Sequence, residues 1–113
     1  MHEVSIMAEA ARMAVEAAQT AGAHRISVVR LRVGKLSGAV PEALNFAWDV
    51  VRTNTLAADA SLVIETVAAA FWCEGCQADF EGADFFGECP RCHTLSGELR
   101  CGRELEIAAL EMN

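Results

Sequence analysis

The sequence contains few basic residues. Lys and Arg account for 9 of its 113 residues and Asp and Glu for 16, so the net charge is −7 and the isoelectric point lies near 4.8. Proteins that bind phosphate backbones need clustered Lys and Arg to displace counterions. The composition therefore argues against a nucleic-acid-binding protein.

Long apolar runs and a basic start are also missing. No run approaches the ~18 residues of a membrane-spanning helix, and Met1-His2-Glu3 is unlike the basic start of a signal peptide. We therefore expect a cytoplasmic protein with no membrane partner. Hydrophobic residues nevertheless make up 53% of the chain, which is enough for one core and too much for a disordered chain.

The hydrophobic pattern predicts an α+β fold. We expect the order helix 3–21, strand 24–35, helix 41–54, strand 61–69, a cysteine-rich module and strand 103–112. The last strand is expected to rejoin the first two. The chain would then have two helices on a small three-stranded sheet, with the cysteine-rich module inserted between two strands as a zinc ribbon with four cysteine ligands.

Each predicted helix has an apolar stripe. In the first helix the residues that recur at helical spacing and are expected to face the core are Ile6, Ala10, Met13 and Ala17. In the second helix the corresponding stripe is Leu44, Trp48 and Val51.

Five cysteines are unexpected in a compartment where disulfides rarely persist. Four of them form two C-x2-C pairs, Cys73 with Cys76 and Cys89 with Cys92, and 12 residues separate the pairs. Each C-x2-C turn directs two thiolates at one point, and two turns complete a tetrahedron around Zn²⁺. The spacing predicts a closed, structural zinc site without the open position that catalysis needs.

Other interpretations of the cysteine-rich module remain open at this point. The pairs could form two disulfides or a thioredoxin-like redox motif, although the latter needs a βαβ context and is not doubled. Cys101 has no partner pair and is expected to be a buried or spare thiol. His93 could donate a hydrogen bond to a zinc-bound sulfur or lie exposed in a loop.

Aromatic residues are concentrated in the same module. In a basic groove they would suggest base stacking, but the module is acidic. We expect them to form the small core of the ribbon, or in part a protein-contact surface. They are Phe71, Trp72, Phe80, Phe85 and Phe86.

The first three residues suggest a second metal site. The α-amine of Met1 has an ordinary pKa of about 8, so a metal ion can displace its proton near neutral pH. The imidazole of His2 and the intervening amide nitrogens complete a nitrogen-rich set that suits Ni²⁺ or Cu²⁺. The Glu3 carboxylate could orient the imidazole or bind directly. A histidine at position 2 can equally be an exposed terminal residue.

Taken together, these motifs resemble the HypA family of nickel metallochaperones over the whole chain. Those that carry the resemblance are Met1-His2-Glu3 before a helix, the four cysteines, Val33-Gly34-Lys35-Leu36-Ser37-Gly38 leading into Pro41-Glu42-Ala43-Leu44, Cys89-Pro90-Arg91-Cys92, and Gly102-Arg103-Glu104-Leu105.

The resemblance implies that Ni²⁺ is a transferred cargo, bound by the terminal amine of Met1, by His2 and neighbouring backbone nitrogens, with Glu3 in support. It also implies that Cys73, Cys76, Cys89 and Cys92 hold structural Zn²⁺. The family works with a nickel-handling GTPase accessory protein and docks on the [NiFe]-hydrogenase large subunit, and in some organisms supplies urease.

We therefore expect a cytoplasmic nickel metallochaperone without catalytic activity, as a monomer or homodimer. Its nickel-binding domain would comprise residues 1–69 completed by strand 103–113, and its zinc-ribbon domain residues 70–102. The alternative hypothesis is a zinc-ribbon adaptor that only joins proteins and has an inert N-terminus.

Overall fold

A computed structural model describes residues 3–83 and 86–113 of the chain. Two helices and eight strands occur within these residues. In chain order they are α1 Glu3–Thr20, β1 Ile26–Gly34, α2 Pro41–Val51, β2 Ser61–Val67, β3 Ala69–Cys73, β4 Ala78–Gly82, β5 Gly87–Glu88, β6 Leu95–Ser96, β7 Leu99–Cys101 and β8 Leu105–Met112.

Three small sheets organise the strands. The first has the order β2-β1-β8, the second β4-β3-β7, and the third is the hairpin β5-β6. The last strand thus rejoins the first two, as the sequence predicts, and the α+β class is confirmed. The cysteine-rich module is inserted between β2 and β8, two strands of the first sheet.

The chain divides into two compact units. One, here called the helical unit, comprises Met1–Arg32, Ala39–Glu65 and Glu106–Asn113. The other, here called the cysteine unit, comprises Val33–Gly38 and Thr66–Leu105.

In the helical unit, α1 buries a different stripe from the one expected. Met13 and Ala17 are exposed and Ile6 is half-buried, so only Ala10 of the four expected residues is buried. The buried residues are Met7, Ala10, Ala11, Ala14 and Ala18. Both stripes have helical spacing, and the many alanines of α1 leave the apolar face poorly defined in sequence. Packing against the rest of the unit selects between them.

The second half of the central strand β1 alternates between buried and charged residues. Val29, Leu31 and Val33 are buried, while Arg30 and Arg32 lie on the opposite face. Arg32 reaches both edge strands, at 3.8 Å from Glu65 of β2 and 3.4 Å from Glu106 of β8. Charged pairs therefore cover this face of the sheet around Arg32.

The second helix begins at Pro41, whose fixed φ and missing N–H suit a first helical position. Leu44 and Trp48 are buried, as predicted, whereas Val51 is half-buried and Ala47 lies in the core in its place. The indole Nε1 of Trp48 donates a hydrogen bond to the Ala60 carbonyl at 3.0 Å, so this large side chain is buried without an unsatisfied donor.

Two aromatic rings form the centre of the cysteine unit. Phe71 and Phe80 stack with their centroids 5.9 Å apart and pack with the buried Cys73 and Cys89. A Cβ added at Gly87 would lie 2.5 Å from the Phe80 ring. The hairpin β5-β6 can therefore approach the rings only because position 87 has no side chain.

The other aromatic residues of the module lie outside this small core or outside the described residues. Trp72 is half-buried and Phe86 is exposed, so neither belongs to this small core. Phe85, which the sequence places among the candidates for the core or a contact surface, lies outside the described residues.

Two glycines allow backbone segments of the cysteine unit to cross closely. Gly102 has φ +125°, and a Cβ there would lie 2.7 Å from the Cα of Ala69. A Cβ on Gly34 would overlap the carbonyl oxygen of Gly102. The backbone N–H of Leu36 donates to that same carbonyl at 2.7 Å. Glycine is required at both positions because no side chain fits between these segments.

Neither α1 nor α2, the helices found in residues 3–83 and 86–113, is both long and apolar enough to cross a membrane.

The two methionines of α1 test which stripe faces the core. Met7 is fully buried, whereas Met13 is 49% exposed. We expect Met7→Ala to lower the free energy of unfolding by about 2–5 kcal/mol, because it leaves a cavity in the core. Met13→Ala should change it by about 0.5 kcal/mol or less. Urea denaturation of both variants measures the difference, and equal losses would contradict the observed stripe.

Candidate metal centre

Two tight turns of the cysteine unit position the four paired cysteines. Cys73 ends β3 and Cys76 lies in the turn that leads to β4. Cys89 directly follows β5, and Cys92 lies in the turn before β6. Each pair therefore occupies the connection between two antiparallel strands, which holds its two sulfurs on the same side of the turn.

The four sulfur atoms converge on one point. The sulfurs of Cys73 and Cys92 are 3.5 Å apart, and those of Cys76 and Cys89 are 3.8 Å apart. All four lie within 4.8 Å of one another. A tetrahedron with Zn–S bonds of about 2.3 Å has edges of about 3.8 Å, so the arrangement fits Zn²⁺. The cysteines are free thiols, and the disulfide interpretation does not apply to this structure.

Burial of the four sulfurs is uneven. Cys73 and Cys89 are buried, Cys76 is half-buried and Cys92 is exposed. The buried pair packs with Phe71 and Phe80, and the partly buried Leu36 and Leu99 contact the same cluster. The site is thus a closed four-thiolate cage with one exposed edge.

Hydrogen bonds from the backbone prepare the thiols for metal binding. The N–H groups of Cys92 and Arg91 stabilise the Cys89 thiolate, and they lower the pKa of Cys89 to about 6 despite its burial. The Cys76 N–H acts in the same direction on Cys73, but burial and the neighbouring sulfurs outweigh it, so the pKa of Cys73 is raised.

The pKa values of the remaining two thiols are shifted in opposite directions. The sulfurs of Cys92 and Cys89 raise the pKa of Cys76 to about 12. The Thr94 hydroxyl lies 3.3 Å from the Cys92 sulfur, and its hydrogen bond lowers the pKa of Cys92. Four thiolates cannot crowd together without a cation between them, so a divalent metal ion suits the site.

A left-handed residue closes each turn. Gln77 follows Cys76 with φ +51°, and His93 follows Cys92 with φ +63°. The imidazole of His93 is exposed and lies 3.8 Å from the Glu88 carboxylate. Of the two interpretations of His93, the structure supports the exposed loop residue. The left-handed backbone at these two positions is unusual for non-glycine residues and was not predicted from the sequence.

A set of polar contacts surrounds the first cysteine pair and was not predicted from the sequence. The Glu74 carboxylate accepts hydrogen bonds from Trp72 Nε1 at 2.8 Å and from Gln77 Nε2 at 3.2 Å. These donors, with the charge of Arg100, lower the pKa of Glu74. The Arg100 guanidinium lies 4.5 Å from the centre of the Trp72 ring. The sequence signal for these contacts was the acidic Glu74 inside the C-x2-C turn, two residues after Trp72.

The fifth cysteine lies outside the cage. Cys101 is on β7, is half-buried, and its sulfur lies 3.5 Å from the Ala68 carbonyl oxygen. It is absent from the four-cysteine group that the structure brings together. Cys101 is therefore a spare thiol with respect to the metal centre, in line with the expectation from sequence.

Two of the three residues expected to bind nickel, Met1 and His2, lie outside the described residues. Glu3 is the first residue of α1 and is half-buried. The nickel site therefore stays a prediction.

Comparison with known proteins decides the family. A family model described as "Hydrogenase/urease nickel incorporation, metallochaperone, hypA" matches residues 1–112. The chain belongs to the HypA family. Its members incorporate nickel into hydrogenase or urease as metallochaperones, so this HypA-family chain is a nickel metallochaperone, as the resemblance implied.

Relatives named hydrogenase maturation factor HypA are similar along nearly their whole length. The protein of Picosynechococcus sp. is 44% identical over 112 residues, which are 99% of each chain. That of Chloroflexus aurantiacus is 42% identical over 113 residues, or 98% of each chain.

Two solved structures of HypA proteins have the same fold. The solution structure of the Ni metallochaperone HypA from Helicobacter pylori aligns with a TM-score of 0.70 and 27% identity, over 99% of this chain and 97% of that one. A second solution structure of a HypA protein aligns with a TM-score of 0.74 and 26% identity, over 100% and 97%.

Removing one thiolate tests the cage. We expect Cys73→Ser to lose most of its zinc and to loosen the cysteine unit, because structural zinc contributes the folding free energy of such modules. Cys101→Ser is the matched control and should keep its full zinc content. Metal analysis and limited proteolysis of the purified proteins measure both effects. Full zinc content in Cys73→Ser would contradict the four-thiolate site.

The Thr94 hydroxyl should set the pH at which zinc is released. Thr94→Val has nearly the same shape but removes the hydroxyl whose hydrogen bond with Cys92 lowers the pKa of that thiol, so the pKa of Cys92 rises. Protons then compete with zinc at a higher pH. We expect an upward shift in the midpoint of zinc release during acid titration, followed with a chromogenic chelator. An unchanged or lower midpoint would exclude this role.

Proposed function

We propose that this nickel metallochaperone binds its Ni²⁺ cargo at Met1, His2 and Glu3 and delivers it during the maturation of [NiFe]-hydrogenase. The supporting observation is that the nickel-incorporation family model extends over residues 1–112, so that it includes the histidine directly before Glu3. The first turn of α1 also carries the acidic Glu3.

The proposed ligands explain why such a site can release its metal. The amine, the imidazole and the deprotonated amides are nitrogen donors that suit tetragonal Ni²⁺. The N-terminal end of a helix disfavours a bound cation, and the Glu3 carboxylate offsets part of this effect. A site made from one short segment is open to ligand exchange with a second protein.

The cysteine cage has a different role in this proposal. Four thiolates from Cys73, Cys76, Cys89 and Cys92 saturate Zn²⁺ and leave no open position for water or substrate. We assign zinc a structural role and the protein no catalytic activity of its own. The proposed nickel-binding domain comprises residues 1–69 with strand 103–113, and the proposed zinc-ribbon domain residues 70–102.

The proposed setting is the cytoplasm. The proposed partners are a nickel-handling GTPase accessory protein, as the source or regulator of nickel, and the [NiFe]-hydrogenase large subunit, as its acceptor. The family description names nickel incorporation for hydrogenase and urease, and the relatives in Picosynechococcus and Chloroflexus are named as hydrogenase maturation factors. These descriptions favour hydrogenase as the enzyme that is served.

Changes at the N-terminus test the proposed nickel site. We expect His2→Ala, or one extra residue before Met1, to abolish stoichiometric nickel binding, because each removes or displaces a nitrogen ligand. His24→Ala is the matched control, since His24 is exposed and lies between α1 and β1. Calorimetric titration with Ni²⁺ measures binding, and metal analysis verifies that zinc is retained.

The adaptor hypothesis gives the opposite result. A zinc-ribbon protein with an inert N-terminus would bind no nickel above background and would bind its partners equally well after His2→Ala. Unchanged nickel affinity in both N-terminal variants would refute the proposed site.

A further inference from the structure

Two large apolar side chains of the cysteine unit are conspicuously exposed. Phe86 is 72% exposed and Leu95 is 70% exposed. Among the described residues, Phe46 on α2 is comparable at 73%. Isolated apolar side chains on a surface need no explanation, but adjacent ones often mark a contact site.

Strand pairing places Phe86 and Leu95 on the same face. Glu88 is directly opposite Leu95 in the hairpin β5-β6, so these two side chains share a face. Phe86 directly precedes β5 and Gly97 directly follows β6, and a Cβ added at Gly97 would lie 3.5 Å from the Phe86 ring. Because Gly97 is two residues from Leu95, we infer that Phe86 and Leu95 lie on the same side of the hairpin.

The other face of the hairpin already forms the core. Gly87 lies against the rings of Phe71 and Phe80, and Cys89 is fully buried. The hairpin thus has one apolar face turned inward and a second, smaller apolar surface turned outward. We call this second surface, formed by Phe86 and Leu95 with Gly97 beside them, the hairpin patch.

Gly97 lies beside the Phe86 ring in the hairpin patch. A Cβ added there would lie 3.5 Å from two atoms of the Phe86 ring, so the ring rests beside a position that has no side chain. The patch therefore consists of two exposed apolar side chains, and Glu88 lies directly opposite Leu95. Two side chains offer contact for one anchoring side chain of an incoming segment rather than for a broad protein face.

Charge indicates what binds there. The cysteine unit contains seven acidic residues and four basic ones, which leaves −3, and four thiolates with one Zn²⁺ leave a further −2. A second copy of this chain, an anionic lipid surface or a nucleic acid would all be repelled. A basic segment of another protein is attracted.

We propose that the hairpin patch docks a basic segment of a partner protein through one apolar anchor. Phe86 and Leu95 contact the anchor, and Glu88 faces the basic residues beside it. The identity of the partner rests on the proposed function, which supplies two candidates: the nickel-handling GTPase accessory protein and the hydrogenase large subunit. Nickel binding itself does not involve the patch.

Surface variants of the zinc-loaded, full-length chain test this proposal. We expect Phe86→Ser with Leu95→Ser to weaken binding to one of the two purified proteins by roughly tenfold or more. Phe46→Ser removes an equally exposed aromatic ring from the helical unit and should leave that affinity within about twofold. Biolayer interferometry at two salt concentrations measures both, and higher salt should weaken wild-type binding.

Photo-crosslinking identifies the docked segment. A benzoylphenylalanine at position 86 should crosslink to a segment of net positive charge in the partner, mapped by mass spectrometry. The same probe at position 46 is the control and should not label that segment. Glu88→Lys should weaken binding in the same direction as the double variant.

The proposal would be overturned if the double variant bound with wild-type affinity, if Phe46→Ser lost as much affinity, or if the wild-type chain bound neither protein. A crosslink from position 86 to an acidic segment, or to a second copy of this chain, would also overturn it. Circular dichroism and zinc content establish that the variants remain folded. Nickel titration of the double variant separates this proposal from the proposed function, because the N-terminal site should still bind Ni²⁺ when the patch is lost.

Discussion

The convergence of four sulfur atoms is the constraint on which the cysteine unit depends. Two turns, each closed by a left-handed residue, bring Cys73, Cys76, Cys89 and Cys92 within 4.8 Å of one another. The aromatic core beside them is small, and so few apolar side chains stabilise a module of this size only weakly. A metal ion that joins the two turns stabilises them together.

A zinc site closed by four thiolates can stabilise the fold but cannot bind the nickel cargo. Four thiolates saturate zinc, so the chemistry of the family, which is nickel incorporation, needs other ligands. The helical unit has a conventional core, in which Met7, Leu44 and Trp48 are buried. Its first helix, α1, begins at Glu3, which is one of the three residues proposed to hold the cargo. Retention of a metal requires a closed site, whereas transfer requires an open one. The proposed function therefore places zinc in the cysteine unit and nickel at the N-terminus.

Sequence patterns predicted burial correctly where only one arrangement fitted the pattern, and failed where several did. In the second half of β1 the apolar residues alternate with Arg30 and Arg32, and this alternation is enough to predict the burial of Val29 and Leu31. The predicted buried stripe of α1 was wrong by one position. Alanines occur on all faces of this helix, so a stripe that includes Met7 and one that includes Met13 both fit the helical period. The environment of Glu74 was not predicted, since the hydrogen bonds from Trp72 and Gln77 form only once the turn has folded.

The sequence by itself determined the metal-binding spacing, the order of elements and the acidic balance, because these follow from residue type and separation along the chain. Tertiary structure alone decided which face of α1 is buried, how the protons of the four thiols are shared, and where apolar side chains stay exposed. Phe71 and Phe86 illustrate the reason. Both are aromatic residues of one module, yet one is fully buried and the other is exposed, because burial depends on which strands pair and which face of each is covered.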